Sequence, residues 1–180
     1  MNIHIVVVDS ADLGRGFTGA DWYFDAHGNL QVCVSKLVGT ARFFVEDIQR
    51  AQLGPDGVDK LVKATAELDG KKCGVREEKE GGSAGKAVTG ARAKTLKGFD
   101  YAAVQISGDK VTRAKPFRAQ CEAGNVYLVR GPWNEAYLQE LCGFPTAKHD
   151  DQVDASSCAF NAVLLEPVVH KVNPILVSRS

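Results

Sequence analysis

The 180-residue chain is 44% hydrophobic and 24% charged with zero net charge, the balance of one globular domain with a core of its own. Its five cysteines, Cys33, Cys73, Cys121, Cys142 and Cys158, are odd in number and scattered, with no C-x-x-C spacing. That speaks against a disulfide framework or a zinc ribbon and fits a reducing, cytosolic compartment. No apolar run reaches the roughly 18 residues of a membrane span, and the start, MNIHIVVVDSAD, has too little basic charge and apolar length for a signal peptide.

Taken in chain order, residues 3–8 form a continuous β-branched run, the signature of a buried central strand, and the run closes on Asp9. A polar, glycine-containing stretch leads to Asp21-Trp22-Tyr23-Phe24, a turn is expected at Ala26-His27-Gly28-Asn29, and residues 30–34 alternate as a paired strand. Gly39-Thr40 turns the chain into a further strand over 41–48, so the opening third reads as a β-meander.

The period then changes. Residues 55–68 carry apolar side chains at helical spacing between Pro55, suited to a first turn, and Gly70, suited to a stop. Strands are expected over 71–77, 101–106 and 125–129, and helices over 83–96, 109–123, 134–141 and 151–165, with a kink or break at Pro116. A β-meander followed by α-β-α-β-α-β-α-α predicts an α/β domain over residues 1–166, a mixed sheet flanked by helices, with 167–180 as a tail.

Charge is unevenly spread. Residues 1–70 hold 6 basic and 10 acidic side chains, 71–118 hold 12 and 5, and 119–180 hold 4 and 7. A basic middle between acidic ends suits a phosphate-binding face beside carboxylates, although lysines also simply solvate helix surfaces. The carboxylates Asp9, Glu78 and the set Asp150, Asp151 and Asp154 fall where elements stop or start. Each has an ordinary reading: Asp9 as a strand-end residue, Glu78 as part of a solvated charge run, Asp150 and Asp151 as helix caps. They also have a shared one. A strand-end carboxylate is tolerated in an apolar setting if a cation gathers it with others, and Mg²⁺ takes a few such oxygens along with water and phosphate oxygens. His149 beside them is either a base or DNA contact or, more simply, a surface histidine. Gly81-Gly82-Ser83-Ala84-Gly85-Lys86 is not a Walker A loop, because Glu80 stands at the first glycine position and Ala87 where Ser or Thr would bind magnesium. It reads as a glycine turn into a helix, or as a loop that approaches a DNA backbone.

Several segments together resemble the nuclease half of phage terminase large subunits. They are Gly108-Asp109-Lys110-Val111-Thr112-Arg113-Ala114, Trp133-Asn134-Glu135, Phe144-Pro145, Lys148-His149-Asp150-Asp151-Gln152-Val153-Asp154-Ala155, and the stretch from Glu78 to Lys86. The resemblance implies a ribonuclease H-like fold and an endonuclease that cuts concatemeric viral double-stranded DNA with two Mg²⁺ or Mn²⁺ ions. Carried over by position, it implies Asp9, Glu78, Asp151 and Asp154 as catalytic metal ligands, with Asp25 a rival to Asp9 and Asp150 a rival to Asp151. Lys79, Lys86, Arg113 and Lys115 become candidate DNA contacts. It further implies a terminase small subunit and a portal protein as partners, action in the host cytoplasm, and an ATPase domain in the full-length protein. No Walker motif is present here, so an excised domain or gene fragment is expected. Two other classes fit the same residues: a DNA- or partner-binding module of this fold without activity, and a junction resolvase or integrase.

Overall fold

The computed structural model describes residues 4–10, 17–25, 30–37, 39–71 and 73–165. The turn expected at 26–29, most of the stretch after Asp9 and the tail 167–180 lie outside them. The described elements are β1 (Ile5–Val8), β2 (Phe17–Phe24), β3 (Leu30–Leu37), β4 (Phe43–Arg50), α1 (Pro55–Asp69), β5 (Gly74–Lys79), α2 (Gly82–Thr95), β6 (Asp100–Gln105), α3 (Lys110–Glu122), β7 (Val126–Val129), α4 (Asn134–Gly143) and α5 (Asp151–Leu165). They make one seven-stranded sheet in the order β1-β7-β4-β3-β2-β5-β6. β3 is antiparallel to β2 and β4, and every other pairing is parallel. Six strands therefore end at one edge of the sheet. In open α/β sheets, the carboxyl ends of parallel strands are where ligands bind.

Side chains alternate between the two faces, so consecutive residues of a strand enter different cores. Tyr23, Val32, Val34, Phe43, Val45, Val126 and Leu128 pack with Phe117 of α3, Tyr137 of α4 and Phe160 of α5. Trp22, Phe24, Cys33 and Val75 face the other way and pack against Val58, Val62 and Ala66 of α1. The result is a sheet with helices on both faces. All five cysteines are free, and four of them are buried. Among the described residues no helix is long and apolar enough to cross a membrane.

The helix signals read from sequence have physical counterparts. α1 starts with Pro55 in its first turn and stops at Gly70, whose φ of 75° suits a residue without a side chain. α3 is capped by Asp109, whose side chain accepts the Thr112 backbone N–H at 2.9 Å. Pro116 does not break α3, which continues to Glu122. The residue is exposed, so the carbonyl it leaves unpaired can meet water. α5 is buried nearly all round its first three turns. Its two internal serines are accommodated because Ser156 and Ser157 donate to the carbonyls of Gln152 and Val153, each at 2.7 Å.

One expectation fails here. Among the described residues β1 is an edge strand that pairs only with β7 and leaves Val6 51% exposed. Burial on both faces belongs to strands inside the sheet: residues 30–35 of β3 are all buried, and Trp22, Tyr23 and Phe24 of β2 are 4%, 1% and 0% exposed. A β-branched run identifies a strand without fixing its neighbours.

Glu46 on β4 yields a pH prediction. Burial raises its carboxyl above the ordinary range and Asp69 adds to this, while the Ser35 hydroxyl opposes both. A folded-state pKa above the unfolded one means that the native state holds the proton longer. Stability is then lost as pH rises through that window. Glu46→Gln is therefore expected to raise the melting temperature more at pH 8 than at pH 4, and equal shifts at both pH values would remove Glu46 as the cause.

Candidate active site

Three elements distant in sequence deliver carboxylates to one place. β2 is followed by Asp25, whose Oδ1 accepts the Leu30 N–H at 3.2 Å and whose own N–H donates to the Leu30 carbonyl at 3.1 Å. β5 runs parallel to β2 and carries Glu78 near its end, opposite Val104 of β6. α5 packs against β2 and β3 and opens beside this edge with Asp151 and Asp154, which share a face because they are three apart. Asp25, Glu78, Asp151 and Asp154 line a single cavity of about 300 Å³, together with Tyr23, Leu30, Glu80, Lys110, Ala155 and Cys158. A second cavity of about 340 Å³ shares Asp25, Leu30 and Asp151 with it and adds Arg50, Ala51 and Gln52 from the end of β4.

Asp9 is not there. It follows β1, four strand positions from β2 in the sheet order, which at one strand spacing per step is about 19 Å. It instead meets the Arg130 guanidinium at 2.5 Å. Asp9 and Asp25 both stand at the carboxyl edge of the sheet, and the order of strands puts Asp25 beside Glu78 and Asp154. Glu77, the neighbour of Glu78, points to the opposite face. There it accepts from Arg92 of α2 and from the Tyr101 hydroxyl of β6, each at 2.5 Å, while Arg92 also reaches Asp59 of α1 at 2.8 Å.

Burial pushes the Glu78 carboxyl above its usual range, and Asp154, Asp25 and Glu80 reinforce this while Arg113 opposes it. A half-buried carboxylate crowded by others is a donor set whose repulsion a divalent cation relieves, and its ligands are all oxygen, as Mg²⁺ and Mn²⁺ prefer. In the conformation seen here two basic side chains of α3 serve these acids. Arg113 forks onto both oxygens of Asp154, at 2.8 and 2.7 Å from Nη2, and Lys110 donates to Asp150 at 2.7 Å and to Asp151 at 3.4 Å. Among the described residues no three acidic, histidine or cysteine side chains stand close enough together to grip one ion as now oriented.

Of the four basic residues expected to contact DNA, Arg113 reaches the acidic cluster. Lys86 and Lys115 are exposed on α2 and α3, and Lys79 is half-buried at the end of β5. None of these three lines the two cavities. Sequence reasoning missed Lys110, Arg50 and Glu140. A signal for Lys110 existed: Lys110 and Arg113 are three apart on α3, matching the spacing of Asp151 and Asp154 on α5. Glu140 of α4 is buried, and its Oε1 accepts the Gln152 N–H at 2.6 Å and the Val153 N–H at 3.4 Å, while Oε2 takes the Gln152 side-chain amide at 2.6 Å. It therefore caps α5 from outside, directly behind the turn that presents Asp151 and Asp154. His149 is exposed ahead of that turn.

The glycines after Glu78 have a structural reason. A Cβ at Gly85 would come within 2.2 Å of the Glu80 carbonyl oxygen, so α2 can fold back on the end of β5 only with glycine there. Gly85→Ala is expected to destabilise the domain by about 1–3 kcal/mol, read as a lower denaturant midpoint. An unchanged midpoint would mean that the turn yields without cost.

Comparison with known families shows which fold carries these carboxylates. A family model described as the terminase RNaseH-like domain matches residues 11–163. The chain belongs to that family. The matched span includes Asp25, Glu78, Asp151 and Asp154 and excludes Asp9. Among solved structures, the human cytomegalovirus terminase nuclease domain, soaked with Mn and bound to an inhibitor, aligns with a TM-score of 0.64 at 10% identity, covering 88% of this chain and 89% of that one. The g2p large terminase nuclease domain of bacteriophage SPP1 with bound Mn aligns at 0.56 and 12% identity, covering 88% and 96%. The large terminase nuclease of thermophilic phage G20c with bound zinc aligns at 0.55 and 20% identity, covering 81% and 80%. No curated protein matches. The ribonuclease H-like fold is thus that of terminase nuclease domains, with a mixed sheet flanked, among the described residues, by five helices.

Proposed function

We propose that this terminase RNaseH-like domain is a metal-dependent endonuclease that hydrolyses phosphodiester bonds of double-stranded DNA during viral genome packaging. The observation that carries the reading is the convergence of Asp25, Glu78, Asp151 and Asp154, from three separated elements, on one cavity at the carboxyl edge of the sheet. Bound Mn in the SPP1 neighbour and the Mn soak of the cytomegalovirus one support divalent cations as cofactors. Asp25, Glu78 and Asp154 would hold Mg²⁺ or Mn²⁺, with Asp151 at the exposed rim, and a pair of such ions supplies an activated water and charge relief for the leaving oxygen.

The chain's own groups do the rest. Glu140 fixes the turn that carries Asp151 and Asp154, and Lys110, Arg113 and Arg50 surround the acids with positive charge to which a phosphate can be drawn. Lys79, Lys86 and Lys115 lie farther out and would add only sequence-independent, salt-sensitive attraction. The family supports a terminase small subunit, a portal protein and an ATPase domain as the wider assembly, acting in the host cytoplasm.

The test is digestion of supercoiled plasmid with Mg²⁺, Mn²⁺ or EDTA. Wild type is expected to nick and linearise the plasmid only with metal, and Asp154→Asn to cut at least roughly 100-fold more slowly. A folded wild type that binds duplex and leaves it intact at every metal concentration would make the domain a binding module. Preference for branched over linear duplex would make it a resolvase.

A further inference from the structure

We infer that Arg113 is an internal counter-ion for Asp154, so that a divalent cation at the carboxylates and a nucleic-acid phosphate at Arg113 assist each other's binding. This rests on the nuclease reading above and adds a coupling between its two ligands. Arg113 donates from Nε to Asp154 Oδ1 at 3.0 Å, from Nη2 to Oδ1 at 2.8 Å and to Oδ2 at 2.7 Å, and from Nη1 to the Gly108 carbonyl at 2.5 Å. The two side chains are only 16% and 15% exposed, so solvent and salt screen the pair little. The companion pair of Lys110 with Asp151 is far more open, at 41% and 68%, and belongs to the class that contributes little.

Both oxygens of Asp154 are engaged by the guanidinium fork. A cation that takes Asp154 must displace the fork or share its acceptors, and Arg113 stays charged whatever happens to its partner. A released guanidinium in a half-buried site needs a new anion, and a phosphodiester fits its planar donor geometry. Space for the exchange adjoins it: Arg113 also lines a cavity of about 400 Å³ with Val104, Ser107, Cys158, Asn161 and Ala162. The backbone beneath it is held, since Asn161 donates to the Arg113 carbonyl at 3.2 Å, so the side chain can move while α3 stays in place. Phosphate drawing Arg113 away leaves Asp154 open to metal, and metal on Asp154 leaves Arg113 open to phosphate. Thermodynamic linkage makes the two effects equal in size. Cutting power is thereby tied to engaged DNA.

Two measurements on the folded chain test this. In a calorimetric titration with Mn²⁺ and no DNA, Arg113→Gln is expected to bind roughly tenfold more tightly than wild type. Arg113→Lys, which keeps the charge without the fork, should fall between them, and it carries the test if the glutamine variant does not fold. In EDTA, fluorescence anisotropy with a short labelled duplex should show Asp154→Asn gaining roughly tenfold in DNA affinity on the wild-type background and losing most of that gain on the Arg113→Gln background. Asp151→Asn measures the effect of removing one negative charge alone. Mn²⁺ affinity that is unchanged or weaker in Arg113→Gln, or an Asp154→Asn gain that is the same on both backgrounds, overturns the coupling and leaves the nuclease reading standing. A folded wild type that binds neither Mn²⁺ nor duplex overturns both.

Discussion

Asp25→Asn is expected to lower Mn²⁺-dependent plasmid cleavage at least roughly 100-fold, the scale on which even residues behind a metal's direct ligands act, while Asp9→Asn leaves it unchanged. The two acids differ in position more than in chemistry. Each follows a strand at the carboxyl edge of the sheet. Asp25 shares a cavity with Glu78, Asp151 and Asp154 because β2 is hydrogen-bonded to β5. Asp9 is separated from them by β7, β4 and β3 and is paired with Arg130. Asparagine keeps the shape and polarity of the side chain, so Asp25→Asn should leave the melting temperature near that of wild type and the loss should appear in turnover. Asp9→Asn removes an exposed ion pair of the kind that contributes little to stability. Loss of cleavage in Asp9→Asn, with Asp25→Asn fully active, would reverse the assignment and show that the first carboxylate comes from β1.

Why the sequence favoured the strand of Asp9 over that of Asp25 is a matter of locality. Hydrophobic pattern and β-branching report on a segment's own burial, whereas a strand's place in a sheet is set by pairings far along the chain. β1 pairs with β7 through Ile5 and Val126, and nothing near residue 5 announces that partner. β2, the strand that leads to Asp25, is disguised by Thr18, Gly19 and Asp21 and by a register shift between Thr18 and Ala20, so only its last three residues look buried. The helices of the second half were legible because their signals are local: Pro55 and Gly70 bracket α1, Asp109 caps α3, and Asp151 and Asp154 open α5. Glu78 was singled out because it falls at a strand end before a glycine turn; that Glu77 turns to Arg92 and Tyr101 on the other face is visible only in the fold. The roles of Lys110, Arg113 and Glu140 depend on which helix lies beside which. α3 and α5 face each other with cations at one spacing and acids at the same spacing, a match that becomes visible only when the two helices are put side by side.

The same dependence on neighbouring helices gives Glu140→Ala the second large expected effect. The first turn of any helix leaves backbone N–H groups without partners inside the helix. In α5 those of Gln152 and Val153 are met by the Glu140 carboxylate of α4, and the Asp150 side chain is turned to Lys110 instead. Glu140 is 7% exposed and Gln152 2%, so truncation leaves buried donors that water reaches poorly. Each costs roughly 1–3 kcal/mol, and a loss of about 3 kcal/mol in unfolding free energy is expected. Activity should fall further than stability explains. The carboxylate pins the turn between Asp151 and Asp154, and outer contacts of this kind alter metal affinity about 10–100-fold when removed. Glu140→Gln separates the two effects, because the amide oxygen can take the place of Oε1 and accept both backbone N–H groups while its NH₂ opposes the Gln152 side-chain amide now held by Oε2. That variant should recover most of the stability and only part of the Mn²⁺ affinity measured by calorimetry. A variant that loses stability yet binds Mn²⁺ as wild type would confine Glu140 to holding α4 against α5, with no part in presenting the acids.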